Sequence, residues 1–230
     1  MVQRQRVVNA TPMSWGERLN IIDALSQCLD GVYAQLAAEV LRRPPRLGRT
    51  RLVCVDGPSG AGKSAVADQL AVALAALTTP PVPVVHTDDL LDGWDDQLTF
   101  WSRLERQVLV PLRAGVPGHH RVYDWELRRF GEAWLTVPVA PVVLLEGVSA
   151  ARAQIRPEAS LTVFVTAPTR LRQARVLARD GEALRPYLEN WRRGEDRHFT
   201  ADATAHHADL IIDTGLPGGG RALRDWGTIS

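Results

Sequence analysis

The stretch Gly57-Pro58-Ser59-Gly60-Ala61-Gly62-Lys63-Ser64 decides how the rest of the chain is read. It fits the pattern G-x-x-x-x-G-K-[ST], a loop whose backbone amides wrap phosphate oxygens. Its flanks agree. Leu52-Val53-Cys54-Val55 before it is an apolar run with β-branched residues, the signature of a buried strand. Ala65 to Leu77 after it is rich in alanine and leucine and predicts a helix. Residues 57–64 would then cradle phosphates at the positive end of that helix. Lys63 would reach the outer phosphates and the Ser64 hydroxyl would hold Mg²⁺. Among 27 lysines and arginines, Lys63 is the one lysine. A compact ammonium fits between phosphate oxygens where a planar guanidinium does not.

The bulk properties bound the remainder. A chain of 230 residues suits one well-buried α/β domain. Hydrophobic residues at 45% and charged residues at 23% are ordinary for a globular protein. The net charge of +1 offers no field for nucleic acid or an anionic membrane. Neither partner is expected, whereas a small-molecule acceptor is, and a homo-oligomer stays open. Cys28 and Cys54 do not make a disulfide scaffold, so a reducing, cytoplasmic setting is expected. Cys54 reads as a small core residue. No run approaches the roughly 18 apolar residues of a membrane span.

Residues 1–50 read as an N-terminal helical extension packed on the core, with a helix over 17–43 ended by Pro44-Pro45. Residues 51–215 form the core and 216–230 a tail. Within the core, strands are expected at 52–55, 82–86, 142–145, 161–165 and 210–212, with an extended segment at 119–125. Helices are expected at 98–112, 168–180 and 184–198. Strands alternating with helices predict a three-layer α/β/α sandwich with a mainly parallel sheet, and ligands at the carboxyl ends of its strands.

Parallel strands bring Asp56, Asp88, Asp89 and Glu146 to that one edge. Phosphoryl transfer needs an acid near the metal, a carboxylate to take the acceptor's proton, and cations over the moving group. Glu146 closes a strand and suits the metal side. Asp88, just past the second strand, suits the base. In the helix at 168–180, Arg172, Arg175 and Arg179 recur on one side and Leu171, Ala174, Leu177 and Ala178 on the other. The arginine side could close over phosphates as a lid. The six histidines show no zinc spacing and read as surface or packing residues.

Several motifs in order resemble the uridine kinase family of phosphate-loop kinases, with phosphoribulokinase and bacterial pantothenate kinase as cousins. The resemblance covers about residues 51–213. Asp56 to Ser64 is similar to the family's opening loop, and Val85-His86-Thr87-Asp88-Asp89 to its strand ending in the catalytic aspartate, which implies Asp88 as general base. Trp94-Asp95 resembles an aromatic-aspartate pair whose carboxylate binds the sugar hydroxyls. Tyr123-Asp124-Trp125 resembles a Tyr-Asp-Phe whose tyrosine lies against the base. Val143 to Gly147 matches the metal-side motif, Arg175 to Asp180 resembles the lid, and Ala208 to Ile212 the closing strand. The resemblance implies an ATP- and Mg²⁺-dependent kinase, with Arg175 and Arg179 over the phosphates and a nucleoside hydroxyl as acceptor.

Three places depart from the family pattern. Leu90 and Leu91 replace an aromatic residue, Glu126-Leu127-Arg128-Arg129 lacks a pyrimidine-reading histidine, and residues 181–185 replace a Gly-rich lid end. Arg128 could instead meet an anionic acceptor. Two alternatives follow: a kinase of a non-nucleoside acceptor such as pantothenate, a sugar or a sugar phosphate, and an ATP-binding regulator without transfer activity.

Overall fold

A computed structural model describes residues 31–78, 81–215 and the backbone of 221–222. Residues 17–30 of the expected N-terminal helix, Cys28 and most of the expected tail lie outside the described residues. The remainder of that helix is α1 (Val32–Arg42). The core follows as β1 (Arg51–Asp56), α2 (Lys63–Leu77) and β2 (Val84–His86). Two short 3₁₀ turns, Thr87–Leu90 and Trp94–Asp96, come next. They lead into α3 (Trp101–Leu104), a π turn (Glu105–Leu109) and α4 (Val110–Arg113). Pro111 falls just after the π turn. It has no amide to continue a regular ladder, and a widened turn relieves the clash of its ring with the preceding turn.

Next are β3 (Gly118–Asp124), β4 (Arg129–Val137), β5 (Val142–Glu146) and β6 (Ala159–Thr166). The chain continues with α5 (Thr169–Asp180), α6 (Arg185–Asp202), α7 (Thr204–His207), β7 (Leu210–Asp213) and β8 (Arg221–Ala222).

Among the described residues the main sheet has six strands in the order β2-β5-β1-β6-β7-β8, parallel except for β8. β8 falls within the stretch read as a tail and adds an antiparallel edge. β1 is flanked on both sides, so successive side chains enter opposite cores. Leu52 and Cys54 join Val143, Leu145, Phe100, Trp101 and Leu104 on one face. Val53 and Val55 join Leu144, Val163 and Ile212 on the other, under Leu36 and Val40 of α1 and Val66, Leu70 and Leu74 of α2. Cys54 is fully buried and free, and burial pushes its thiol pKa far up, as a core residue requires. At the opposite end of the sheet from the phosphate loop, Arg43 ties α1 to the core through Asp209 (2.9 Å) and the Ser160 carbonyl (3.0 Å).

β3 and β4 form a separate antiparallel pair. The extended segment expected near 119–125 is therefore a strand, but its partner at 129–137 carries no sequence signal. Only Val137 of β4 is buried, so the strand lacks the apolar alternation that marks a half-buried one.

Candidate active site

β1 ends in Asp56, and the loop that follows rises over the sheet edge. Its shape demands glycine twice. At Gly57 (φ +142°) a Cβ would lie 2.0 Å from the Val165 carbonyl oxygen, and at Gly60 (φ +75°) 2.3 Å from that of Arg172. Both positions let the loop press against its neighbours with left-handed backbone. Asp56 is wholly buried and locks the loop's start. Its Oδ1 accepts from the amides of Gly57 (2.6 Å) and Ser149 (2.9 Å), and its Oδ2 from that of Ala151 (2.8 Å). The phosphate loop is thereby joined to the turn after β5, which carries Glu146. Burial pushes the Asp56 pKa up to about 6, against the pull of those amides and of Lys63.

The amides of the first turn of α2 have no partner within the helix. They face a cavity of about 190 Å³ lined by Gly60, Gly62, Lys63, Ser64 and Ala65, with Asp88, Glu146, Arg175 and Arg179 opposite. β5 places Glu146 beside β1, and the Ser64 hydroxyl donates to its Oε1 at 3.0 Å. His86, at the end of β2, meets the same oxygen through Nδ1 at 2.5 Å. Burial would raise the Glu146 pKa, but the His86 hydrogen bond and charge, with Lys63 and Ser64, hold it below the usual range. His86 is thus part of the site, in contrast to its reading as a packing histidine. Its place at the end of a strand beside Asp88 was the available signal.

Asp88 stands in the 3₁₀ turn after β2, with its side chain open to the cavity. It sits deep enough for desolvation to raise its pKa; Lys63 pulls it down and Glu146 pushes it up. The three arginines expected on a lid make different contacts. Arg175 donates to the carbonyl oxygens of Gly60 (3.2 Å) and Thr214 (3.1 Å) and to the Thr214 hydroxyl (2.9 Å), which in turn donates to the Ala61 carbonyl (2.7 Å). It straps the phosphate loop to the end of β7. Arg179 is braced by Asp180 (2.6 and 2.8 Å) and its pKa is raised by that bond and by the fields of Asp88 and Glu146. Arg172 turns to the Ala167 carbonyl (3.1 Å). The expected apolar back is not packed: on α5 the buried residue is Val176, while Ala174 and Ala178 are exposed.

Beyond Asp88 opens a larger cavity of about 540 Å³. Trp94, Trp125 and Trp191 line it, with Leu91, Leu184 and Leu188. Trp94 is its hub, 5.1 Å from the Trp125 ring, 5.7 Å from Trp191 and stacked at 5.5 Å on Tyr187. Ser59, Asp88 and Arg179 line both cavities. The structure therefore gathers Lys63, Ser64, Asp88, Glu146, Arg175 and Arg179 around one cleft.

It does not bring Asp95, Tyr123 or Arg128 to the cavity lining. In the turn Trp94–Asp96, Trp94 points inward and Asp96 is held by Arg103 (2.7 Å), which leaves Asp95 exposed. Tyr123 is buried behind Trp125 and against Phe130. Arg128 occupies the exposed turn between β3 and β4 in left-handed backbone (φ +51°), at a corner where Asp124 caps the Glu126 and Leu127 amides.

The Ser64 hydroxyl and the Glu146 carboxylate are hard oxygen donors. Mg²⁺ takes one or two protein oxygens and completes its shell with phosphate and water. The pair fits an ion that arrives with a nucleotide. Among the described residues no group of three His, Cys, Asp or Glu forms a metal cage of its own.

The fold, a mainly parallel sheet between helices with the loop at 57–64 after a central strand, is similar to that of solved phosphate-loop kinase-like structures. The solved structure of a possible uridine kinase from Bacillus stearothermophilus superposes on 80% of this chain and 98% of its own, with a TM-score of 0.60 and 19% identity. No protein-family model matches the sequence. Among curated proteins, the inorganic pyrophosphatases TTM1 and TTM2 of Arabidopsis thaliana are 32% and 34% identical over 124 residues, half of this chain. The chain spans 18% of the length of either. Among the described residues no helix is long and apolar enough to cross a membrane.

Proposed function

We propose that the protein is a phosphotransferase that moves the terminal phosphate of ATP to a hydroxyl of a small molecule held in the aromatic cavity. The observation that carries this reading is the shared wall. Asp88 and Arg179 face both the phosphate cleft and the acceptor cavity, so a hydroxyl presented from one side and a phosphate from the other would meet at Asp88. A nucleotide hydrolase or switch has no need of a second cavity of drug-like size opening on that carboxylate.

The roles follow from position. The amides of residues 60–65 and Lys63 bind the phosphates. Ser64 and Glu146 would hold Mg²⁺, which neutralises phosphate charge when bound. Asp88 accepts the proton of the acceptor hydroxyl as its oxygen bonds to the terminal phosphorus, and the bond from that phosphorus to the bridging oxygen breaks, leaving ADP. Arg179, braced by Asp180, offsets charge on the moving group. Arg175 acts through the loop it straps.

Three tryptophans around the cavity favour a flat, apolar-faced acceptor, and a nucleoside fits that description. With neither Asp95 nor Arg128 on the wall, nothing there marks a phosphorylated acceptor except Arg179 itself. Incubation with γ-labelled ATP, Mg²⁺ and a panel of nucleosides, pantothenate, sugars and sugar phosphates tests the reading. Labelled product is expected with a nucleoside. Product with pantothenate or a sugar alone would move the acceptor class. Labelled phosphate alone, at an equal rate with every acceptor, would make the protein a hydrolase.

A further inference from the structure

Ser59 lies where three cavities meet: the phosphate cleft, the aromatic cavity and a third of about 210 Å³ between α5 and α6. Its partner at that junction is Glu195 of α6, 1% exposed. One oxygen of Glu195, Oε1, accepts from the Ser59 amide (2.9 Å), the Ser59 hydroxyl (2.5 Å) and the Trp191 indole N–H (3.0 Å). The indole N–H also lies 3.2 Å from the Ser59 hydroxyl oxygen. The Trp191 ring forms a wall of the aromatic cavity, and its carbonyl is fixed by Gln97 (3.0 Å).

A buried carboxylate beside an anion-binding loop opposes phosphate binding, so its placement calls for a purpose. One oxygen cannot satisfy three donors equally well. A change in the set of Ser59 alters what is left for Trp191, and the reverse. We propose that Glu195 is a positioning residue that couples the two cavities, so that nucleotide in the phosphate cleft resets the Trp191 wall of the acceptor cavity. The coupling is reciprocal: an occupant pressing on Trp191 resets the phosphate loop through the same oxygen. The inference rests on the phosphotransferase reading for its use of the two cavities.

The experiment follows the Trp191 indole N–H resonance in ¹⁵N-labelled full-length protein, assigned by its loss in Trp191→Phe, while Mg·ATP is titrated in. In the wild type the resonance is expected to shift as ATP saturates. In Glu195→Gln, ATP still binds and the shift is reduced, because the neutral amide oxygen that remains is a weaker acceptor for all three donors. Ser59→Ala keeps the amide bond and loses the hydroxyl bond, so a reduced shift is expected. A direct effect of ATP on the ring would persist undiminished in Glu195→Gln and would overturn the proposal, as would a wild-type resonance that stays put while ATP binds. If Glu195→Gln gives no dispersed spectrum, Ser59→Ala decides, and an undiminished shift there overturns the coupling. Failure of ATP to bind the wild type at all would instead remove the nucleotide reading, and the coupling with it.

Discussion

Replacing Asp56 by asparagine keeps the side chain's size and removes its charge at the point where the phosphate loop is tied to the turn after β5. Two effects oppose each other. The amide offers one oxygen in place of two, so one of the Gly57, Ser149 and Ala151 amides loses its acceptor in a fully buried place. An unsatisfied buried donor costs about 1–3 kcal/mol. Against this, the wild-type carboxylate is itself costly to ionise in the folded state. Its pKa rises from 3.8 to about 6 on folding, worth about 3 kcal/mol at about 1.4 kcal/mol for each tenfold change. The sign is that of a raised acid: the stabilising proton is present in full below pH 3.8 and is lost as pH rises through about 6. The variant has no such titration. Urea unfolding of both proteins at pH 4.5 and pH 8 isolates the difference. From pH 4.5, where the wild-type side chain is protonated, to pH 8, the stability difference should shift in the variant's favour by about 2 kcal/mol. A difference that stays constant, or shifts in favour of the wild type with rising pH, would refute the assignment of Asp56 as a buried carboxylate held against its charge.

Two further perturbations address the cleft. Lys63→Arg should leave the far-UV circular dichroism unchanged and lower kcat about 100-fold or more, because a guanidinium cannot take the ammonium's place between phosphates; turnover near that of the wild type would remove Lys63 from the chemistry. Trp94→Ala should raise KM for the acceptor about tenfold while Asp95→Ala changes it by no more than about twofold, since the ring lines the cavity and the carboxylate does not; the opposite ranking would restore Asp95 as the residue that grips the acceptor.

What the sequence made legible follows from what each residue must do. The phosphate loop needs glycines for its backbone and Lys63-Ser64 for its chemistry, so it is written in a short contiguous motif. Glu146 and Asp88 could be placed at one sheet edge because strands with alternating or continuous apolar runs point to their own carboxyl ends. The aromatic cavity was harder to foresee. Its wall on α6 lies some 130 residues along the chain from the loop it meets, and no local pattern links the two. A clue was present. Leu184, Leu188, Trp191 and Glu195 fall on one helical face at spacings of four, three and four, and a glutamate within an apolar stripe asks for a buried partner. Arg175 and Arg179 read as equivalent because both recur on one face of α5. Only the packing shows that Arg175, though it lines the cleft, is tied to the loop backbone, while Arg179 also faces the aromatic cavity. Asp95 differs from Trp94 by one position in a 3₁₀ turn, and that step turns a side chain from the cavity to solvent.

In the proposed mechanism Asp88 takes a proton from an acceptor hydroxyl while the phosphate loop presents the terminal phosphate of ATP. The measurement closest to it is the rate of label transfer from γ-labelled ATP to the acceptor found in the screen, for wild type and Asp88→Asn under saturating Mg·ATP. The same product is expected from both, with the variant slower by a factor of about 100 to 10,000 and its affinity for ATP little changed. Equal rates, or a variant whose loss lies wholly in ATP binding, would contradict the mechanism.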